Sequence, residues 1–272
     1  MPEIEAGIRC IQITGQCSQL VGNYTNHLDK QGIKMFNPIK SPIVFSAIAF
    51  LVGCGGGGGD APPPAVTTFP VQSALTYAYT NGIRSTLNVT GMATDGTVTA
   101  PITGSLTITL SPATSTTFNG AAALQTTETL NGMLTIGGFS EPLNSLGTAY
   151  LNLSYSPLAF STDGSYCEAT APVVYPVTAT AGQSGDLGNF NCYTDNTKTI
   201  FVGTEKETYI TTAGSTFNTL DVKLITNVYD TSNTLIVSGG ITYTITSGGI
   251  PSISEFDTQA TENGITISIT AK

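Results

Sequence analysis

The sequence has no tryptophan, one histidine (His27) and only nine basic residues against eighteen acidic residues. A formal net charge of −9 repels phosphate backbones, so we expect no nucleic-acid partner. Because no histidine follows His27, the rest of the chain has neither a Ser-His-Asp or Cys-His arrangement nor a usual zinc site. We therefore expect no catalytic residue, no cofactor and no metal, and a protein that is not an enzyme.

The chain also lacks an apolar run long enough to span a membrane, which takes about 20 residues. The most apolar stretch, residues 42–52, is shorter. Lys34 and Lys40 precede this stretch and small residues end it, which is typical of a secretory signal peptide.

A signal peptide normally begins only a few residues before its apolar core. Met35 is well placed for that start, so we assign residues 35–53 to the signal peptide. Residues 1–34 are then a leader or an over-extended gene start. That segment contains His27, Cys10 and Cys17.

The end of the apolar run, Leu51-Val52-Gly53-Cys54, resembles the lipobox of bacterial lipoproteins. The resemblance implies lipidation of Cys54 and a partner that is the lipid bilayer. It also implies outer-membrane localisation, facing either the periplasm or the cell surface, because Gly55 stands where an aspartate favours inner-membrane retention. Two or more acyl chains anchor a protein firmly, whereas one chain holds only marginally.

Residues 54–70 combine the lipidated cysteine with a linker. Gly55–Gly59 predicts a flexible coil and Pro62–Pro64 a stiffer extended stretch, and a linker of this length spans on the order of 20 Å. We expect a single β domain over residues 71–272.

Within that domain apolar residues recur at every second position, which predicts strands with one apolar face for the core and one polar face for solvent. Threonine and serine fill the polar faces, in agreement with their strand propensity. The alternation is clearest around residues 102–110, 149–155, 222–228, 241–245 and 265–269. The sequence therefore predicts an all-β, hairpin-rich antiparallel fold.

Six dipeptides of the Asn-Gly or Asp-Gly type predict tight turns between such strands. They begin at Asn81, Asp95, Asn119, Asn131, Asp163 and Asn263, and residues 229–233 predict a further turn. A sheet of about a dozen strands must fold over on itself to bury its apolar face. A β-sandwich and a closed soluble barrel both achieve this, and the sequence leaves both architectures open. One short helical turn is expected near residues 140–146, after Ser140 and with Pro142 early in the turn.

Cys167 and Cys192 are the thiols that remain once Cys54 is acylated. Exported proteins live in an oxidising compartment, so we predict a disulfide between them.

Glu205 and Glu207 lie two residues apart and share one face of an extended strand. We interpret this face as solvated, with Lys206 on the opposite side. A hydrolase that uses carboxylates alone would need two carboxyls across a cleft, and this pair is its candidate.

Tyrosines are enriched around the predicted disulfide and form a candidate binding surface for a glycan or a protein of the envelope. They are Tyr150, Tyr155, Tyr166, Tyr175 and Tyr193.

The domain resembles the Thr/Ser/Gly-rich, β-rich lipoproteins of Gram-negative bacteria in phrases such as Val202-Gly203-Thr204-Glu205 and Val228-Tyr229-Asp230. That resemblance implies no activity. The leading hypothesis is a lipid-anchored, non-enzymatic structural or binding module of the envelope. A surface adhesin or glycan-binding domain is the alternative, and the carboxylate hydrolase is the second alternative.

Overall fold

The computed structural model describes residues 68–162, 164–262 and 264–272. The predicted leader, signal peptide, lipidated Cys54 and most of the linker lie outside the described residues.

One helix, α1, spans Val71–Asn81. Its buried side chains are Val71, Ala74, Leu75 and Ala78, which follow the i, i+3, i+4, i+7 spacing of a helix with one apolar face. Helix α1 ends at Gly82, whose φ of 75° suits glycine and whose N–H donates to the Ala78 carbonyl at 2.8 Å. This helix was not predicted, because the alternation predicted only strands from residue 71 onward.

Thirteen strands follow α1, and all of their pairings are antiparallel. They are β1 (Ile83–Thr94), β2 (Thr99–Leu110), β3 (Thr114–Phe118), β4 (Ala121–Ile136), β5 (Phe139–Leu151), β6 (Pro157–Thr162), β7 (Ser165–Ala169), β8 (Ser184–Tyr193), β9 (Phe201–Ala213), β10 (Thr219–Asp230), β11 (Leu235–Thr246), β12 (Pro251–Glu262) and β13 (Ile265–Ala271). The all-β prediction is confirmed.

The sheet closes on itself as a barrel of twelve strands. Strand β4 makes the closure, because its first part pairs with β3 and its second part, from Glu128 to Ile136, pairs with β2. Strand β1 pairs with the last strand, β13, and completes the ring. Of the two architectures that the alternation allowed, the chain forms the closed barrel.

The apolar faces of the strands point into the barrel, and the polar faces point outward. Strand β2 shows the rule, with Ile102, Leu106 and Ile108 buried and the intervening threonines more exposed. The part of the interior that is remote from α1 is filled by Leu134, Ile136, Ile265 and Ile267. The interior at that end is apolar, and the outer face of the wall is rich in threonine.

Two glycines allow adjacent strands to approach closely in the wall. Gly104 and Gly203 have φ values of 156° and 149°, and a Cβ atom there would lie 2.1 Å from the Met133 carbonyl oxygen and 2.0 Å from that of Tyr229. Only glycine fits such positions, and glycines at these points let strands bend around a small barrel.

The turn predictions hold at Asp95-Gly96 and Asn119-Gly120, which lie between paired strands, and the predicted 229–233 turn joins β10 to β11. The predicted turn residues Asp163 and Asn263 lie outside the described residues, and the glycines after them, Gly164 and Gly264, lie between paired strands. Asn81-Gly82 instead ends α1. Asn131-Gly132 lies within β4, where a Cβ on Gly132 would meet the Ser105 carbonyl oxygen at 2.2 Å.

Two local predictions were wrong. Residues 140–146, expected to make a helical turn, belong to β5 and pair with β4 along their length. The alternation at 149–155 continues only to Leu151, and Leu153 is exposed in the following loop. Pairing with β4 gives residues 140–146 a hydrogen-bond ladder that lacks only the donor of Pro142, and this outweighs a weak capping signal.

Helix α1 and the segment 170–183 cover one end of the barrel, which we call the covered end. Phe69 exchanges two backbone hydrogen bonds with Ala179, at 2.8 and 2.9 Å, and the Gln72 N–H donates to the Pro176 carbonyl at 3.1 Å. Helix α1 packs against β12.

Within the described ranges, no helix combines the length and the apolar character needed to cross a membrane.

Candidate functional site

A polar cavity of about 70 Å³ lies inside the barrel, beneath the covered end. Its polar lining comes from one helix, one loop and four strands, and consists of Tyr79, Thr126, Glu128, Tyr175, Glu205, Glu207, Thr226 and Tyr243. Its apolar lining consists of Leu110, Ala149, Phe160, Leu224 and Ile241. We call this space the acidic cavity.

Glu128 enters the cavity from β4, at the point where β4 is paired on both sides. The register places it opposite Leu110 of β2 and Gly147 of β5, and glycine leaves room for the carboxyl. Its Oε1 atom is buried and has no hydrogen-bond partner among the described residues. Burial raises the pKa of Glu128 to about 7, because a carboxylate loses its hydration there.

Glu205 and Glu207 enter the cavity from β9. They share one face of an extended strand, as predicted, but that face points into the barrel. Glu205 is only 2% exposed and its Oε2 atom has no hydrogen-bond partner among the described residues. The prediction of a solvated face was therefore wrong.

The two carboxyls of β9 affect each other electrostatically. Burial, and then repulsion by the neighbouring Glu207 carboxylate, hold the pKa of Glu205 well above its usual range. Burial raises the pKa of Glu207 as well. Both groups therefore resist ionisation unless a positive charge comes close.

Three tyrosines, one each from α1, the segment 170–183 and β11, complete the polar lining. The hydroxyls of Tyr79 and Tyr175 interact through a hydrogen bond. Burial raises the pKa of Tyr79, Tyr175 and Tyr243, so all three hydroxyls stay neutral at physiological pH.

Among the residues that the structure describes, no Lys, Arg or His lines the acidic cavity. The lysines of this part of the chain pair with carboxylates elsewhere: Lys198 with Glu168 at 2.6 Å, Lys206 with Asp186 at 2.9 Å, Lys223 with Asp257, and Lys272 with Glu255 at 3.0 Å. The three cavity carboxyls thus have no protein cation to balance them in the described structure.

The predicted disulfide between Cys167 and Cys192 is confirmed, and it joins residues directly opposite each other on β7 and β8. A carboxylate oxygen of Glu205 lies within 4.8 Å of both sulfurs. These three residues are the one potential metal-binding group found among the described residues. Since the two sulfurs are bonded to each other, they offer no thiolate to a metal. The disulfide is buried beside Glu205.

The five tyrosines predicted as a binding surface divide between two places. Tyr150, Tyr166 and Tyr193 lie near one another on the outer side of the wall, where Tyr166 is paired with Tyr193 and donates a hydrogen bond to Glu168 at 3.2 Å. Tyr175 instead lines the acidic cavity, and Tyr155 stacks on Tyr79 with ring centroids 6.5 Å apart.

Sequence reasoning missed Glu128, Tyr79 and Tyr243 as cavity residues. The sequence did contain a signal for Glu128. It lies an even number of residues from Leu124, Leu130 and Leu134 in β4, so its side chain is on the same face of the strand as these apolar residues. A charged residue at an inward-facing position of a strand is a candidate for function.

No family model, no curated protein and no solved structure matches the chain. The class of protein is therefore defined by the fold and the site alone. It is a closed twelve-stranded antiparallel β-barrel, covered at one end by a helix, with three carboxyls in an interior cavity.

Proposed function

We propose that this chain is a lipid-anchored, non-enzymatic binding protein of the cell envelope, and that its ligand site is the acidic cavity. The observation that supports the proposal is the pair of buried carboxyl oxygens on Glu128 and Glu205, which have neither a hydrogen-bond partner nor a balancing cation among the described residues. A buried unpartnered polar group costs about 1–3 kcal/mol, and a charged one costs more. A ligand that satisfies these atoms recovers that free energy.

The size of the cavity limits the ligand. At about 70 Å³ it has room for roughly five to seven water-sized groups, since each needs about 10–15 Å³. This suits a small molecule rather than a sugar ring or a peptide. The cavity lies under α1, and α1 begins at Val71, directly after the predicted linker. In a barrel tethered through that linker, the covered end is therefore the end nearer to the membrane anchor.

Two measurements test the proposal. For the anchor, labelled palmitate should appear on the wild-type chain and be absent from Cys54→Ala in a host that processes lipoproteins. For the site, native mass spectrometry of protein purified from the envelope should show a small bound molecule.

The site measurement has a matched pair of variants. Ala149→Leu fills the cavity and should release the bound molecule, whereas Thr148→Leu, on the outer face of the same strand, should retain it. A bound molecule that survives Ala149→Leu would place the ligand elsewhere and refute the assignment of the site.

A glycan or protein partner on the outer wall is the alternative. The partly exposed Tyr150 and Tyr193 favour it, and their ring centroids lie 5.3 Å from that of Phe118 and 5.9 Å from that of Phe201, respectively. Tyr166 between them is buried. Binding of envelope glycans that is lost in Tyr193→Ala but retained in Ala149→Leu would favour this alternative.

A hydrolase that uses carboxylates alone is the second alternative, because Glu205 and Glu207 lie together in a cavity with raised pKa values. The size of the cavity argues against a glycosidase, which must hold a sugar ring between its carboxyls. Turnover that disappears in both Glu205→Gln and Glu207→Gln would favour the hydrolase.

A further inference from the structure

We propose that the acidic cavity binds a small organic ammonium ion, held by the carboxyl groups of Glu128, Glu205 and Glu207 and by the faces of the surrounding tyrosine rings. This inference rests on the proposed binding function and names the chemical class of its ligand.

The sign of the ligand follows from the charges around the cavity. The titratable groups that face it from α1, the segment 170–183, β4, β9 and β11 are three carboxyls and three tyrosine hydroxyls. None of these groups carries a positive charge in any protonation state. An anionic ligand would be repelled by any ionised carboxylate of the cavity, whereas a cation replaces the missing counter-charge.

The unpartnered atoms point to a ligand that donates hydrogen bonds. Glu205 is 98% buried and its Oε2 atom, like Oε1 of Glu128, has no hydrogen-bond partner among the described residues. A carboxylate is purely an acceptor, and an ammonium group is purely a donor. The two groups therefore match in hydrogen bonding as well as in charge.

The spacing of the carboxyls favours an organic cation over a bare metal ion. Among the described residues, the potential metal-binding group within 4.8 Å consists of Glu205 and the two disulfide sulfurs, and it includes neither Glu128 nor Glu207. The three carboxyls thus surround the cavity without converging on one point. An ammonium ion with several donors and a carbon skeleton bridges such a spacing.

The aromatic lining supports the same conclusion. Tyr79, Tyr175, Tyr243 and Phe160 contribute to the cavity wall. Cations are attracted to the faces of aromatic rings, and cages of such rings recognise ammonium ligands. Leu110 and Ile241 supply apolar surface for the carbon atoms of the ligand.

Isothermal titration calorimetry of the full-length chain at pH 8 tests the inference. The probes are methylammonium and ethanolammonium chloride, with ethylene glycol as the neutral counterpart of ethanolammonium and calcium chloride as the metal. We expect the ammonium probes to bind and ethylene glycol not to bind. Glu128→Gln should weaken ammonium binding by about tenfold or more, which is the usual cost of losing a hydrogen bond to a charged group.

The control variant is Glu255→Gln, because Glu255 pairs with Lys272 outside the cavity and its loss should leave ammonium binding unchanged. The affinity should also rise about tenfold between pH 6 and pH 8, since the cation displaces a proton from a carboxyl that titrates near 7. The tyrosines stay neutral in this range and do not contribute to that dependence.

Three outcomes would overturn the inference: binding of calcium alone, equal binding of ethylene glycol, or ammonium binding that Glu128→Gln leaves unchanged. If the native complex holds a neutral molecule that Ala149→Leu releases, the proposed binding function stands and the ammonium ligand is wrong. If the cavity holds only water and no probe binds, both proposals fail.

Discussion

Replacing Glu128 with glutamine should stabilise the protein by much more at pH 8 than at pH 5. Burial raises the pKa of Glu128 from its ordinary value of 4.5 to about 7 in the folded chain. Between these two values the folded protein holds a proton that the unfolded chain has released. The free energy of unfolding therefore falls as the pH rises through this window.

The magnitude follows from the size of the shift. Each pKa unit corresponds to about 1.36 kcal/mol, and the part of the shift that lies between pH 5 and pH 8 amounts to about 2.5 kcal/mol. Glutamine has a similar shape and no charge at either pH. The advantage of Glu128→Gln over wild type in the free energy of unfolding should thus grow by about 2.5 kcal/mol between pH 5 and pH 8.

Urea unfolding of both proteins at the two pH values measures the effect, because the other carboxyls cancel in the difference between wild type and variant. Glu255→Gln is the control on the outer wall, and the loss of its exposed ion pair should change the free energy by no more than about 1 kcal/mol at either pH. An equal effect of Glu128→Gln at pH 5 and pH 8 would refute the burial of an ionisable carboxyl at this position.

Three further substitutions test the frame around the cavity. Replacing both Cys167 and Cys192 with alanine should lower the free energy of unfolding by about 3 kcal/mol in denaturant titrations, as expected for a closed loop of 25 residues; no loss would mean that the bond does not constrain the unfolded chain. Gly203→Ala should cost about 2–3 kcal/mol, because its Cβ would lie 2.0 Å from the Tyr229 carbonyl oxygen, and a wild-type melting curve would contradict this strand approach. Leu75→Ala should cost about 2–5 kcal/mol and accelerate amide hydrogen exchange in α1, since Leu75 is buried between the helix and the barrel; unchanged exchange would show that this contact does not hold α1.

Most strands were predictable from the sequence because they keep a single parity of apolar residues, although in β12 a bulge shifts the buried positions from Ile253 to Phe256. Strands β2 and β13 show this clearly in their burial patterns. Closure was not predictable in the same way. It depends on β4 pairing with β2 beyond the short β3, a contact between distant residues that leaves no periodic signal.

The direction in which Glu205 and Glu207 point was open to sequence reasoning, which chose the wrong side. In a closed barrel one face of every strand is interior, and Lys206 takes the outer face, where it pairs with Asp186 at 2.9 Å. The carboxyls on either side of Lys206 must then point inward. Helix α1 carried a helical spacing of apolar residues over 71–78, but its threonines and tyrosines favour strands, so the two signals conflicted.

Closure of the wall determines how quickly anything inside the cavity can exchange with solvent. Every strand of the ring is hydrogen-bonded on both sides, so no seam opens without breaking a ladder. The lining residues outside the wall are Tyr79 on α1 and Tyr175 on the segment 170–183. A molecule that leaves through the covered end must displace one of these two elements, and such local opening takes less free energy than unfolding of the barrel. The off-rate should therefore follow the packing of one eleven-residue helix.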